Sequence, residues 1–274
     1  MSATASAALT LTEPPRVLSE AEIEKLAQEF LETGSLIVRN VISREMCGRI
    51  RDEIDRIFRE VPENDPTQSY GPFLRTRLFE YSELIAAHLD YAPIIDLAEK
   101  ILGKQCHLVS NNVVRNDRKH AISTWHADEE VMFPLPEGVD WPEGATPPCH
   151  CFNSQWYLTD VSTDDGPTEV VPYSHRSGKN PPHNVEAPEY KGHKVQQVIV
   201  KAGDVCLQHS QVWHRGAPVK SDKTRYMMQY SYGRRSFAQR LFPFVNYQIP
   251  KHVEAAATPR QLRVLGKHSK GPWG

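Results

Sequence analysis

The sequence predicts a mainly β (α+β) chain: a β-sandwich or barrel preceded by helices. Three observations predict it. Apolar residues recur at helical spacing through the first hundred positions and then cease to do so. From about Cys106, short runs of β-branched and aromatic residues alternate with turn signals such as Asp165-Gly166-Pro167 and Ala202-Gly203-Asp204. No internal repeat divides the 274 residues, so one domain over 16–274 is expected, a length that single β-rich domains reach. Residues 1–15, rich in Ala, Ser and Thr, read as a disordered tail.

The elements follow in order. Ser19 caps a first helix, with Glu22 as its capping-box partner and Gly34 as its stop. Ile23, Leu26, Ala27, Phe30 and Leu31 form its apolar side. Leu36 to Arg39 reads as a short strand. Ser43 opens a second helix with Met46, Ile50, Ile54, Ile57 and Phe58 on one side, ended by Pro62. A helical region spans Glu83 to Leu102, broken near Pro93. Predicted strands are 107–115, 122–128, 150–158, 168–171, 194–200, 204–208 and 224–232. Thr258-Pro259 starts a last helix, which Gly266 ends.

Composition narrows the function. Lys plus Arg is 32 and Asp plus Glu is 34, a net charge of −2, which argues against a nucleic-acid binder. No apolar run reaches the roughly 18 residues of a membrane helix, and no basic, apolar leader is evident. The five cysteines are an odd number in a chain too large to need disulfides, so a cytoplasmic protein with free thiols is expected. Cys149 and Cys151 read as small residues on one strand face, with no second cysteine pair to complete a zinc site. The expected partner is a small-molecule substrate, with no nucleic acid and no membrane; the oligomeric state is left open.

Two proline-rich loops stand out. Residues 129–148 hold five prolines, and Ser177 to Tyr190 holds three. Structureless loops of such length are often functional. Either could cover a barrel mouth, and 129–148 is read as a lid.

The chemistry concentrates in Trp125-His126-Ala127-Asp128. Along a strand His126 and Asp128 point the same way, with Cα atoms about 6–7 Å apart, so an imidazole and a carboxylate can share one metal ion. About 90 residues on, Gly203-Asp204 feeds a segment ending in His214, and Arg225 follows eleven residues later. Two histidines and a carboxylate make the facial triad of non-haem Fe(II) oxygenases. A fixed arginine can grip a carboxylate bidentately. His209 competes with His214 for the distal place, and Glu129 or Glu130 could reach the metal.

This arrangement resembles the phytanoyl-CoA dioxygenase-like branch of the Fe(II)/2-oxoglutarate oxygenases, from about Ser19 to Val245. Gly34-Ser-Leu-Ile-Val-Arg-Asn-Val-Ile-Ser-Arg-Glu resembles its opening strand and helix. Asp165-Gly-Pro-Thr-Glu-Val-Val-Pro-Tyr-Ser-His175 is similar to its Asn-Gly-Pro…Pro-Gly-Ser-His segment. The resemblance implies a double-stranded β-helix, a jelly-roll (cupin-like) barrel with flanking N-terminal helices. It implies Fe(II) on His126, Asp128 and His214, and 2-oxoglutarate on Arg225, with Gln155 or Trp156 nearby and O2 as oxidant. The expected outcome is hydroxylation, desaturation or cyclisation of a small molecule, with release of succinate and CO2. Halogenation is not expected, because related halogenases replace the carboxylate ligand with a small residue. Met227 and Gly216 stand where the family often has hydroxyl residues, so the cosubstrate pocket is completed differently. For the substrate, Phe133, Trp141 and Met132 offer an apolar lid. Glu129 and Glu130 suggest an amine or hydroxyl partner. Asn111 and Asn112 could line the pocket, and Arg115, Lys119 and His120 could meet an anionic group. A secondary or amino-acid-like metabolite fits better than an acyl-CoA. The alternatives are a non-catalytic metal-binding cupin-like protein or sensor, and a metal-dependent hydrolase or isomerase.

Overall fold

The computed structural model describes residues 11–61, 73–116, 122–139, 141–142, 145–241 and 247–269. Helix α1, Glu20–Thr33, begins where the capping box places it: Glu22 accepts from the Ser19 backbone N–H at 2.8 Å, and Ser19 Oγ from that of Glu22 at 3.3 Å. Gly34 ends it at φ 80°, and a Cβ there would meet His175 Nδ1 at 2.4 Å, so conformation and space both require glycine. Helix α2, Arg44–Glu60, is capped by Ser43 Oγ, which accepts from Met46 N–H at 3.0 Å. The broken helical region is a single turn α3, Glu83–Ala86, and α4, Ile94–Leu102, entered at Pro93. Helices α5, Lys251–Ala256, and α6, Pro259–Val264, close the described chain; Thr258 caps α6 in a second capping box.

The strands are β1 Ser35–Val38, β2 Leu74–Thr76, β3 His107–Asn116, β4 Cys151–Tyr157, β5 Thr168–Val170, β6 Gln196–Gln197, β7 Val205–His209, β8 His214–Gly216 and β9 Arg225–Gly233. They form a six-stranded sheet, β1-β7-β4-β9-β3-β2, and a three-stranded sheet, β6-β5-β8, with every pair antiparallel. This is the double-stranded β-helix, or jelly roll, with helices on the outer face of the larger sheet.

Alternation along the strands separates two environments. On β9, Tyr226, Met228, Tyr230 and Tyr232 turn to the helices and pack with Phe30, Ile54 and Leu97. Burying such side chains contributes about 1.5–3 kcal/mol each. Arg225, Met227, Gln229 and Ser231 turn the other way, between the sheets. There the register aligns Ser231 with Asn153, Gln229 with Gln155, and Met227 with Tyr157. The inner face is therefore polar towards one end and apolar around Met227, Val114 and Leu74.

Three expectations are corrected. The strand predicted over 122–128 is a single bridge of His126 to His214, because the chain turns at once to bring Asp128 N–H to Ser210 O at 2.9 Å. That predicted over 194–200 keeps only β6 and the bridge of Val200 to Val161. The expected tail over 1–15 is engaged at Glu13, whose carboxylate accepts from Ser43 N–H at 2.5 Å and whose carbonyl accepts from the Tyr91 hydroxyl at 3.1 Å; residues 1–10 lie outside those described, as does Pro62. No described helix is long and apolar enough to cross a membrane.

Candidate metal centre

His126 and His214 come from paired backbones: each N–H donates to the other's carbonyl at 3.0 Å. Each ring donates Nδ1–H to a carbonyl two residues earlier, His126 to Thr124 at 2.8 Å and His214 to Val212 at 2.9 Å. Those bonds fix the tautomer and leave both Nε2 lone pairs free for a metal. Asp128 Oδ1 lies 3.6 Å from Nε2 of both rings. One donor atom from each residue falls within 4.8 Å of the others. Two imidazole nitrogens and one carboxylate oxygen fit a divalent iron with open positions. Burial acts to raise the Asp128 carboxyl, but His214 and His126 hold it below its usual range. Burial acts to lower His214, and the Asp128 carboxylate reverses this and lifts it. His126 is lowered by burial and by His214. The His214 side chain is 7% exposed against 34% for His126, so the centre opens on the His126 side.

Behind Asp128 runs a chain of hydrogen bonds. Asn153 donates its amide to Asp128 Oδ2. Its Oδ1 accepts from Ser231 Oγ at 2.5 Å, and Ser231 accepts from Ser110 Oγ at 2.9 Å. Oδ2 is thus occupied and Oδ1 remains for the metal.

Arg225 lies further along the inner face. Asn153 and Tyr157 on β4 bracket that stretch, about 13 Å between their Cα atoms at strand rise. Arg225 is 6% exposed, its guanidinium donates to Gly166 O, and its Nε has no partner. No carboxylate among the described residues pairs with it, and burial lowers its pKa. Opposite it in register, buried Asn116 carries an unpartnered Oδ1. Between arginine and metal runs a second chain. Thr168 Oγ1 and Tyr157 OH are 2.9 Å apart, Tyr157 donates to Gln155 Oε1 at 3.1 Å, and Gln155 donates to Gln208 Oε1 at 3.0 Å. The buried Gln208 Nε2 has no partner. A buried guanidinium with no carboxylate partner among the described residues suits a bound carboxylate, and the free Gln208 donor lies towards the metal end of the same space.

The other expected site residues divide. Gln155 faces the inner space. Trp156 does not, because alternation turns it outward against His88, Tyr91 and Tyr230. Asn112 lies in register with Gln229 on the inner face, half-buried. Asn111 turns away to donate to Gln229 O at 3.1 Å. Arg115 also turns away, 3.4 Å from Asp55 and over the Phe58 and Tyr226 rings, so it cannot meet a substrate between the sheets. Glu129 pairs with Arg240 at 2.7 Å rather than with the metal, and Glu130 is exposed, its carbonyl accepting from Gln211 at 2.6 Å. Phe133 packs edge-on to Trp141 at 6.0 Å and against His150 at 5.6 Å. His209 lies on the outer face beside Phe30 and His175, away from the metal ligands. Lys119 and His120 fall outside the described residues, and all five cysteines are buried and free. Sequence reasoning missed Asn153, Tyr157, Thr168 and Gln208. Counting by twos from Gln155 along β4 would have found the first two.

Solved structures share the fold. The chain is similar to HygX from Streptomyces hygroscopicus with nickel and 2-oxoglutarate bound, at 16% identity and TM-score 0.58 over 81% of this chain and 89% of that one. HygX with nickel, 2-oxoglutarate and hygromycin B matches at 17% and 0.60, over 81% and 90%. SnoN, a non-heme α-ketoglutarate-dependent epimerase from nogalamycin biosynthesis, matches at 19% and 0.60, over 79% and 82%. The family model for phytanoyl-CoA dioxygenase (PhyH) matches residues 30–227, most of the chain, and the protein belongs to that family.

Proposed function

We propose that the protein is a non-haem Fe(II)- and 2-oxoglutarate-dependent oxygenase acting on a small-molecule metabolite. One observation carries the reading: a buried, unpaired Arg225 shares the barrel interior with a two-histidine, one-carboxylate cluster. A metal site for hydrolysis has no need of that cation. Nε2 of His126 and His214 and Oδ1 of Asp128 would hold the iron, and Arg225 the distal carboxylate of 2-oxoglutarate. With O2, that pair supplies oxidative decarboxylation to succinate and CO2, coupled to oxidation of a substrate C–H bond.

The chain's own residues bind and orient. Asn153 fixes Asp128, and the Thr168–Tyr157–Gln155–Gln208 chain presents polar groups to the cosubstrate. The apolar stretch around Met227 keeps water from the Arg225 end. Asp128 fills the third protein position, which favours hydroxylation, desaturation or ring closure over halogenation. The ligands carried by HygX and SnoN support a small molecule as substrate. Five free, buried cysteines support a reducing, cytoplasmic setting.

The test is anaerobic. Fe(II) plus 2-oxoglutarate should give a weak visible charge-transfer band, lost in His126→Ala and Arg225→Ala. A metabolite panel scored by succinate release then identifies the substrate. Iron binding with neither band nor succinate would overturn the oxygenase reading and leave a non-catalytic metal-binding protein.

A further inference from the structure

Each metal histidine follows a tryptophan, Trp125 before His126 and Trp213 before His214. Since the histidines point inward, alternation turns both indoles to the outer side of the smaller sheet. There they meet the same loop. Trp213 Nε1–H donates to Lys179 O at 2.8 Å, and Trp125 Nε1–H donates to Glu186 O at 2.9 Å. The segment from Ser177 to Tyr190 therefore lies behind the metal-bearing backbone rather than over the barrel mouth. Further contacts hold the two indoles. Tyr190 meets the Trp213 ring edge-on at 6.2 Å, and Ser174 Oγ accepts from Trp213 N–H at 2.8 Å. Arg215, held by Glu169 at 2.7 Å, lies 4.8 Å from the Trp125 ring centre.

The two ligands sit on short, irregular backbone. His126 belongs to no strand; it makes a single bridge to His214, and β8 is three residues long. Gly216 N–H to Ile122 O at 2.6 Å and Asp128 N–H to Ser210 O at 2.9 Å flank that bridge, so backbone bonds join the two segments over a short stretch. Two indole bonds into one loop also tie the two backbones from behind, at positions outside the His126, Asp128, His214 cluster.

We propose that Trp125 and Trp213 are positioning residues, and that the 177–190 loop is a clamp setting the spacing of the two metal histidines. The proposal rests on the metal centre described above. Its consequence is reciprocal, because binding free energies are linked: if the clamp favours metal binding, metal binding must tighten the clamp.

The experiment uses the full chain with Ni(II) as probe, and reads Ni(II) affinity together with tryptic cleavage after Lys179. In the wild type, saturating Ni(II) should slow that cleavage about tenfold. In the Trp125→Phe, Trp213→Phe double variant, Ni(II) should bind about 10- to 100-fold more weakly, the range for groups that orient ligands, and protection should be lost. Trp125→Phe alone, at the half-buried position, should show the same effects in smaller measure and guards against misfolding of the double variant. Trp156→Phe, in the helix-side core, should change neither readout. Wild-type affinity and protection in folded Trp125→Phe and double variants would overturn the clamp. A wild-type chain that binds no Ni(II) would overturn the metal centre and the clamp with it.

Discussion

Asn153 donates its side-chain amide to Oδ2 of Asp128, and so decides which carboxylate oxygen faces the two histidines. Asn153 is itself oriented, because its Oδ1 accepts from Ser231. Were the amide reversed, its N–H2 would face Ser231 and its oxygen would face a carboxylate. The metal geometry is thus set from the centre of the larger sheet, through β4 and β9, rather than from the loop that carries Asp128.

Replacing Asn153 should therefore weaken the metal without removing a ligand. Asn153→Leu frees Asp128 to rotate and leaves Oδ2 without its donor. Ni(II) or Fe(II) affinity is expected to fall about 10- to 100-fold. Ser231→Ala, one bond further out, should cost less. Titration calorimetry on both variants checks the order; an effect at Ser231 larger than at Asn153 would contradict it.

Arg225 offers a test with two opposite signs. Removing a buried cation that has no carboxylate partner among the described residues relieves an uncompensated charge, so Arg225→Met should stabilise the ligand-free protein by about 1–3 kcal/mol. The same change should remove the 2-oxoglutarate contact, with a loss of about 2–5 kcal/mol in cosubstrate binding. Thermal unfolding with and without 2-oxoglutarate, metal present, reads both. A ligand-free protein less stable than wild type would show that Arg225 has a structural role in place of the binding one.

Much of this site was legible in the sequence, and the parts that were not have physical reasons. His126 and Asp128 are two residues apart, so strand alternation alone brings them together. Gln155 and Trp156 could not be separated, because β4 is buried on both faces and shows no polar alternation. The misplacement of Arg115 has a similar source. Asn112 and Arg115 on β3 are three residues apart, so alternation puts them on opposite faces, and a strand buried on both faces does not say which one faces inward. The bond from Asn153 to Asp128 joins two segments 25 residues apart, which spacing along one strand cannot show. The jelly roll was legible as a run of short strands; the order of its sheets rests on pairings between distant segments.

Tyr157 joins Thr168 to Gln155 with one hydroxyl. Tyr157→Phe keeps the ring and removes both bonds, leaving buried polar groups unsatisfied. Stability should fall by about 1–3 kcal/mol. The KM for 2-oxoglutarate should rise while kcat holds, since the bonds position the pocket rather than take part in chemistry. A fall in kcat with unchanged KM would place the hydroxyl at the reacting atoms instead.

Buried histidines outside the centre should make the metal-free protein sensitive to mild acid. His88 packs against Tyr91 and Trp156, and burial lowers its pKa to about 4. His175 is lowered by burial to about 4, and neighbouring His209 well below its ordinary value. The unfolded chain takes up these protons near pH 6.5, whereas the folded chain resists until about pH 4. Stability is therefore complete above pH 6.5 and is lost as pH falls through that window, by up to about 1.4 kcal/mol per pH unit for each histidine. His214, raised by Asp128, acts above that window instead: its contribution is fully present below its ordinary value and is lost as pH rises. Urea midpoints taken in chelator from pH 7.5 to pH 5 should fall, and His88→Phe should flatten the slope by close to one proton. A flat wild-type profile, or an unchanged slope in a folded His88→Phe variant, would show that these rings already share protons with groups that stay paired in acid.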